Sequence, residues 1–359
     1  MMEKKGSQPQ ERVRRGELVE VRSAEEILTT LDSGGTNGHL PFMPEMLKML
    51  GKQFRVYRRV EHFSFDGDET CGDESSVRAF PENDVVVLEN CRCSGQSHGN
   101  CKRGCSIFWR EAWLKPVQID VPKQKGYKLT EQSKSKANHT AVSGSPDARS
   151  ELENRLITNN TEEPEQFYCQ SSQLLIATQP VSFAERLKRC IRNVATGNYG
   201  LIEMLRNIAV WFSVRGREKL FGPFPVGSLK QTPVELLNLQ AGELVQVKSL
   251  QEIKQTLDHR GFNRGLHFAP EMIPYCGKIL RVTVRADKMI AEGIGVMRTM
   301  KNTVILEGCV CDSATWAFGA CPRQDFIYWR EIWLKRVEPK VETNFEASSV
   351  EPIEPAAAK

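Results

Sequence analysis

The sequence predicts an α+β chain in which a small, strongly curved antiparallel sheet module, of SH3-like type, occurs twice. Three observations carry that expectation. An internal repeat aligns without a gap, helix and strand signals occur in the same order in both copies, and a cysteine cluster recurs at the same place.

From Gly16 to Val56 the chain reads GELVEVRSAEEILTTLDSGGTNGHLPFMPEMLKMLGKQFRV, and from Gly242 to Val282 it reads GELVQVKSLQEIKQTLDHRGFNRGLHFAPEMIPYCGKILRV. These 41 aligned positions hold 22 identities, against roughly two or three expected by chance, which marks a duplication. The likeness resumes where VVVLENCRC, ending at Cys93, matches TVILEGCVC, ending at Cys311. It resumes again where IFWREAWLKPV from Ile107 matches FIYWREIWLKRV from Phe326. The expected organisation is module 1 over 16–117, a flexible linker over 118–180, a helical hairpin over 181–235, module 2 over 240–338 and a disordered tail over 339–359.

Each copy opens with alternating LVEV or LVQV, the pattern of a half-buried strand. Ser23 with Glu26, and Ser249 with Glu252, have the capping-box spacing ahead of a short helix. Pro44 and Pro270 suit a first helical position, where a missing N–H costs nothing, and Gly51 and Gly277 stop that turn. FRVYRRV and LRVTVRA alternate as strands, and VVVLE and TVILE are β-branched runs fit for a buried strand. In the connecting region, 123–165 is rich in Ser, Lys, Asn, Thr and Glu, and its lone His139 and Asn138 sequon are assigned to disorder. Ser182 caps a helix to about Val194, and a second helix is expected from Leu201 to Trp211. Arg186, Lys188, Arg189 and Arg192 are expected on a solvated helix face.

Composition excludes some classes. With 359 residues, 40% hydrophobic and 26% charged, the chain has an ordinary soluble make-up, and its net charge of +4 is too balanced to imply a polyanionic partner. It has neither a signal-peptide apolar region nor a run of about 18 apolar residues. A cytoplasmic protein without membrane contact is the expectation. Eleven cysteines in such a chain point to metal, reactivity or burial rather than disulfides.

Their spacing favours metal. Cys91, Cys93, Cys101 and Cys105 form C-x-C-x7-C-x3-C around His98, and Cys309, Cys311 and Cys321 repeat three of these positions, with Asp325 in the fourth. Thiolates this close repel unless a cation takes them deprotonated, which also fastens a loop lacking a core of its own. Structural zinc is the leading expectation, a [2Fe-2S] cluster the alternative, and buried or redox-labile thiols the remaining one. Cys71, Cys169, Cys190 and Cys276 have no aligned counterparts and are read as packing residues.

FWREAWLK and YWREIWLK come directly after the clusters. Phe108, Trp109, Ala112 and Trp113 fit a helical stripe, with Arg110 and Glu111 outward, although a strand is also compatible. The tryptophans are read as a hydrophobic floor rather than a base-stacking platform. Glu45 and Glu271 are given helix-start roles, and Gly51-Lys52 and Gly277-Lys278 turn roles, since no phosphate-loop pattern surrounds them and each carboxylate lacks a catalytic partner. No nucleophile elbow or dinucleotide fingerprint appears, so the sequence assigns no reaction.

The combination of LxFxPEM, C-x7-C-x3-C and FWREAWL resembles uncharacterised bacterial proteins that carry the same module, here in tandem. That resemblance spans both repeats and implies no activity. The ligand spacing alone is similar to that of CDGSH-type iron-sulfur proteins, over some fifteen residues, but Cys105 or Asp325 stands where that family has histidine. The functional expectation is a metal-binding protein with a binding or accessory role, whose partner is a protein or small ligand. An iron-sulfur redox protein and a nucleic-acid binder are the rival expectations.

Overall fold

The computed structural model describes residues 12–65, 77–117, 145–156, 166–312 and 319–337. Module 1 begins with β1 (Leu18–Val21), whose alternate valines Val19 and Val21 are fully buried. Ser23 then caps α1 (Ala24–Leu28). The Ser23 amide donates to the Glu26 carboxylate at 2.9 Å and the Glu26 amide to the Ser23 hydroxyl at 3.4 Å, which satisfies two otherwise orphaned donors. Pro44 opens a 3-10 turn, Pro44–Met49, after which Gly51 takes a φ of 70°.

The chain next runs through β2 (Gln53–Arg59), β3 (Val85–Arg92) and β4 (Ser106–Arg110), turns once at Glu111–Trp113, and returns as β5 (Leu114–Pro116). The sheet order is β4-β3-β2-β1-β5, antiparallel throughout. Because the last strand crosses to pair with the first, the sheet curls into a half-barrel around its own core. Module 2 repeats this with β6 (Leu244–Val247), β7 (Ile279–Arg285), β8 (Thr303–Val310), β9 (Phe326–Arg330) and β10 (Leu334–Arg336), in the order β9-β8-β7-β6-β10.

Curvature comes from bulges at matching places in both copies. Pairing shifts between Val56 and Arg58 and between Val282 and Val284, and again between Val87 and Arg92 and between Ile305 and Val310. An extra residue at such a point increases twist and re-aims the strand beyond it. Asn90 (φ 59°) and Gly308 (φ 72°) sit in the second of these, in the left-handed region that asparagine and glycine tolerate best. They lie directly before the first cysteine of each cluster.

The FWREAWL segments are strand followed by a 3-10 turn, which corrects the helical stripe. Their tryptophans Trp109, Trp113, Trp329 and Trp333 are fully buried. Phe42 meets Trp113 edge-on at 5.3 Å and Phe268 meets Trp333 at 5.2 Å, while the Trp113 and Trp333 indoles donate to Thr30 and Thr256. The hydrophobic floor is therefore present, and these rings have no face free for a base to stack on. Arg110 does not point outward: it is 1% exposed, donating to Asp84 at 2.5 Å and to the Gly38 carbonyl at 3.1 Å. Glu111 is half-buried, accepting from the Val13 amide, and Glu331 is fully buried, accepting from the amides of Leu237, Asn238 and Leu239. A short local pattern cannot show that residues preceding each module fold back to occupy these carboxylates.

Part of the stretch expected as linker is structured. α2 (Pro146–Arg155) buries Leu152 against module 1, and α3 (Gln170–Ala177) inserts Gln170, whose side-chain amide donates to Phe108 and Pro41 carbonyls and accepts from the Phe108 amide. Residues 118–144 and 157–165 of the expected linker, His139 and the sequon included, and the expected tail lie outside the described residues.

The hairpin is present as α4 (Phe183–Ala195) and α5 (Leu201–Phe221), the latter continuing past Trp211. Arg186 and Arg189 are buried rather than solvated, Arg189 donating to Asn83 at 2.7 Å. No helix among the described residues is long and apolar enough to cross a membrane.

The two modules meet through their cysteine loops. Arg103 and Arg323 each stand two residues after an aligned cysteine, and both converge on the fully buried Glu292 carboxylate, with N–O distances of 3.4 and 2.7 Å. Arg323 also lies 3.0 Å from Asp325. These two acids together hold the Arg323 guanidinium more firmly protonated than usual, against the opposing effect of burial. Arg92 donates across to the Gln324 carbonyl at 2.7 Å and stacks over Phe326.

Candidate metal centre

One group of metal-competent side chains converges among the described residues: Glu45, Cys93 and His98, whose ligand atoms all lie within 4.8 Å of one another. Each is delivered by a different local device. Glu45 comes after Pro44 in the 3-10 turn, which turns its carboxylate inward. Cys93 comes after the Asn90 bulge at the end of β3, and its amide donates to the Cys105 carbonyl at 2.9 Å, so the two ends of the loop are tied. His98 sits in a tight turn between Gly95 and Cys101, with its amide donating to the Gly95 carbonyl and its carbonyl accepting from the Cys101 amide. Gly95 has a φ of 69°, and a Cβ there would come within 2.0 Å of the Cys101 carbonyl oxygen. Only glycine fits that approach.

A thiol, an imidazole and a carboxylate are donor types that could hold a metal ion. His98 is 1% exposed; its Nε2 lies 3.0 Å from Glu45 Oε2, and its Nδ1 has no hydrogen-bond partner among the described residues. Buried polar atoms without partners are costly, and a cation would answer them. Burial pushes the Glu45 carboxyl up, but His98 beside it and the Ser97 amide, which donates at 3.1 Å, outweigh burial and hold it below the usual carboxylate range. Burial first, then the neighbouring Cys105 and Glu45, push the Cys93 thiol up. A divalent cation reverses that preference by binding thiolate directly.

Of the residues singled out from the sequence, the structure brings Cys93 and His98 together and joins Glu45 to them. Cys91, Cys101 and Cys105 are not part of the group. Cys91 points into the module core, where burial pushes its thiol up to about 12. Cys101 accepts the Ile290 amide of module 2 at 3.3 Å. Cys105 is pushed up to about 12, chiefly by burial. In module 2 the matching pair is kept: the Cys311 thiol donates to Glu271 at 3.3 Å, and the Cys311 amide donates to the Asp325 carbonyl as Cys93 does to Cys105. Cys309 is buried in the core, and Asp325 is held against Arg323. Cys321 lies near the same Arg323, its thiol raised to about 11 mainly by burial. No histidine stands between Cys311 and Cys321, so module 2 lacks the His98 counterpart. Cys169, Cys190 and Cys276 stand outside the group, and Cys71 lies outside the described residues.

Glu45 is the member of the group that sequence reasoning passed over. Its signal was available: PEM and C-x-C are both retained in the two copies, and the fold closes them onto each other. The chain matches no protein-family model, no curated protein and no solved structure.

Proposed function

We propose that this chain is a zinc-binding tandem-module protein with a binding or accessory role, its metal held in module 1 by Glu45, Cys93 and His98. One observation carries the reading: a thiol, an imidazole and a carboxylate converge in a buried place where, among the described residues, the imidazole nitrogens have no partner outside the group. Mixed sulfur, nitrogen and oxygen donors suit zinc, and a four-coordinate ion keeps one further position for water or a bound group. A two-iron cluster is less well served, since this donor set offers a single sulfur. The ion would fasten the 93–101 loop to the Pro44 turn, beside the contact between modules. The strand order, with the last strand returning to the first, supports an SH3-like module, and free thiols at this density fit a reducing cytoplasm. Zinc titration of the metal-free protein tests the proposal. Binding that is lost in His98→Ala and Cys93→Ser, and retained in Cys276→Ser, is the expected result; equal binding by all variants overturns it.

A further inference from the structure

The helical hairpin is amphipathic in the reverse of the usual sense. α4 turns its polar side chains Arg186, Arg189 and Asn193 to the body and leaves Leu187 and Ile191 50% and 64% exposed. α5 buries Met204 and Asn207 and exposes Ile202 (83%), Leu205 (57%) and Phe212 (56%), which recur at i, i+3 and i+10 on one face. The placement is fixed by the turn between the helices. The Arg59 amide donates to the Asn198 side chain, and that side chain donates to the Arg59 carbonyl. Large apolar side chains left exposed on a helix face in this number mark an interaction surface.

Charge decides the occupant. All three acids of the hairpin are already engaged: Glu185 with Arg189 at 3.1 Å, Glu203 with Arg58 at 2.8 Å and Glu218 with Arg215 at 3.0 Å. Lys188, Arg206 and Lys219 are exposed and meet no carboxylate among the described residues. The apolar face is therefore edged by uncompensated cations. A second copy packed hairpin to hairpin would bring like charges together, with the hairpin's own acids already engaged.

We propose that α4 and α5 lie on an anionic lipid surface, with Leu187, Ile191, Ile202 and Leu205 in the interface and Lys188 and Arg206 against headgroups. Basic residues beside an apolar face are what holds an interfacial helix to such a surface, and each of the two helices carries both. This proposal is independent of the metal, and it departs from the expectation of no membrane contact while requiring no spanning helix.

The test is flotation of the full-length protein with vesicles of phosphatidylcholine, alone or mixed with phosphatidylglycerol. Binding to the mixed vesicles only is expected. Lys188→Gln with Arg206→Gln should weaken it about 25-fold, at about fivefold per cation removed, and Ile202→Ser with Leu205→Ser should abolish it. These side chains are exposed, so melting temperatures should stay unchanged, which separates lost binding from lost folding. Absence of binding to anionic vesicles overturns the proposal, as does undiminished binding of the serine variant. A wild-type dimer that the serine variant converts to a monomer also overturns it, assigning the face to a second copy.

Discussion

Replacing Glu292 with leucine should uncouple the two modules. The carboxylate is fully buried, 2.7 Å from Arg323 and 3.4 Å from Arg103, and both guanidiniums are themselves almost wholly buried. Leucine fills a similar volume but takes from Arg103 and Arg323 the carboxylate they share, and among the described residues Asp325 is the acid that stays beside Arg323. Breaking a buried ion pair by removing one partner costs about 3–5 kcal/mol. That is a large share of the roughly 5–15 kcal/mol that stabilises a typical protein. With a urea dependence of about 3 kcal/mol per molar, the unfolding midpoint should fall by about 1 to 1.7 M. Urea unfolding monitored by tryptophan fluorescence should also resolve into two transitions for the variant and one for the native chain. Replacing Arg103 and Arg323 by methionine together with Glu292→Leu should recover part of the loss, since an apolar cluster of similar volume replaces the three buried charges and leaves only the partly exposed Asp325. A loss below about 1 kcal/mol, or no recovery in the triple variant, would refute the reasoning.

Acid should act on Glu331. Burial raises its carboxyl, but three backbone amides and Arg285 outweigh burial and hold it below its ordinary value of 4.5. Its contribution is therefore full above pH 4.5 and is lost as pH falls through the depressed value. Glu331→Gln should lower stability at neutral pH and flatten the acid limb below pH 4.5; identical acid slopes in variant and native protein would contradict this. At Asn90, with φ 59°, glycine should be tolerated whereas valine should cost about 1–2 kcal/mol by thermal unfolding, and equal melting of the two variants would remove the bulge from the account.

Much of the fold was legible because it rests on local rules. The capping serines, Pro44 and Pro270, the alternating strands and the duplication each leave a pattern within a few residues, and the structure bears out two curved sheets of five strands. What stayed hidden depends on contacts between distant segments. The burial of Arg110, Arg186 and Arg189 could not be read from their charge, because their acceptors are brought by other elements. Gln170 completes module 1 from a stretch whose composition resembles a linker. The cysteine cluster gave Cys93 and His98 but not Glu45, whose closeness exists only once the sheet has curled. The Arg103 and Arg323 positions were visible as a repeated arginine two residues after the cysteine, though nothing in the sequence connected them to Glu292.

Metal content of the native protein and of three variants, measured after anaerobic zinc loading and removal of excess ion, tests the central claim most directly. The account predicts about one equivalent of zinc per chain in the native protein and in Cys105→Ser, and loss of the ion in Cys93→Ser and His98→Ala. A native protein that retains no zinc, or a Cys105→Ser variant that loses it as fully as Cys93→Ser, would contradict the assignment of the site to Glu45, Cys93 and His98.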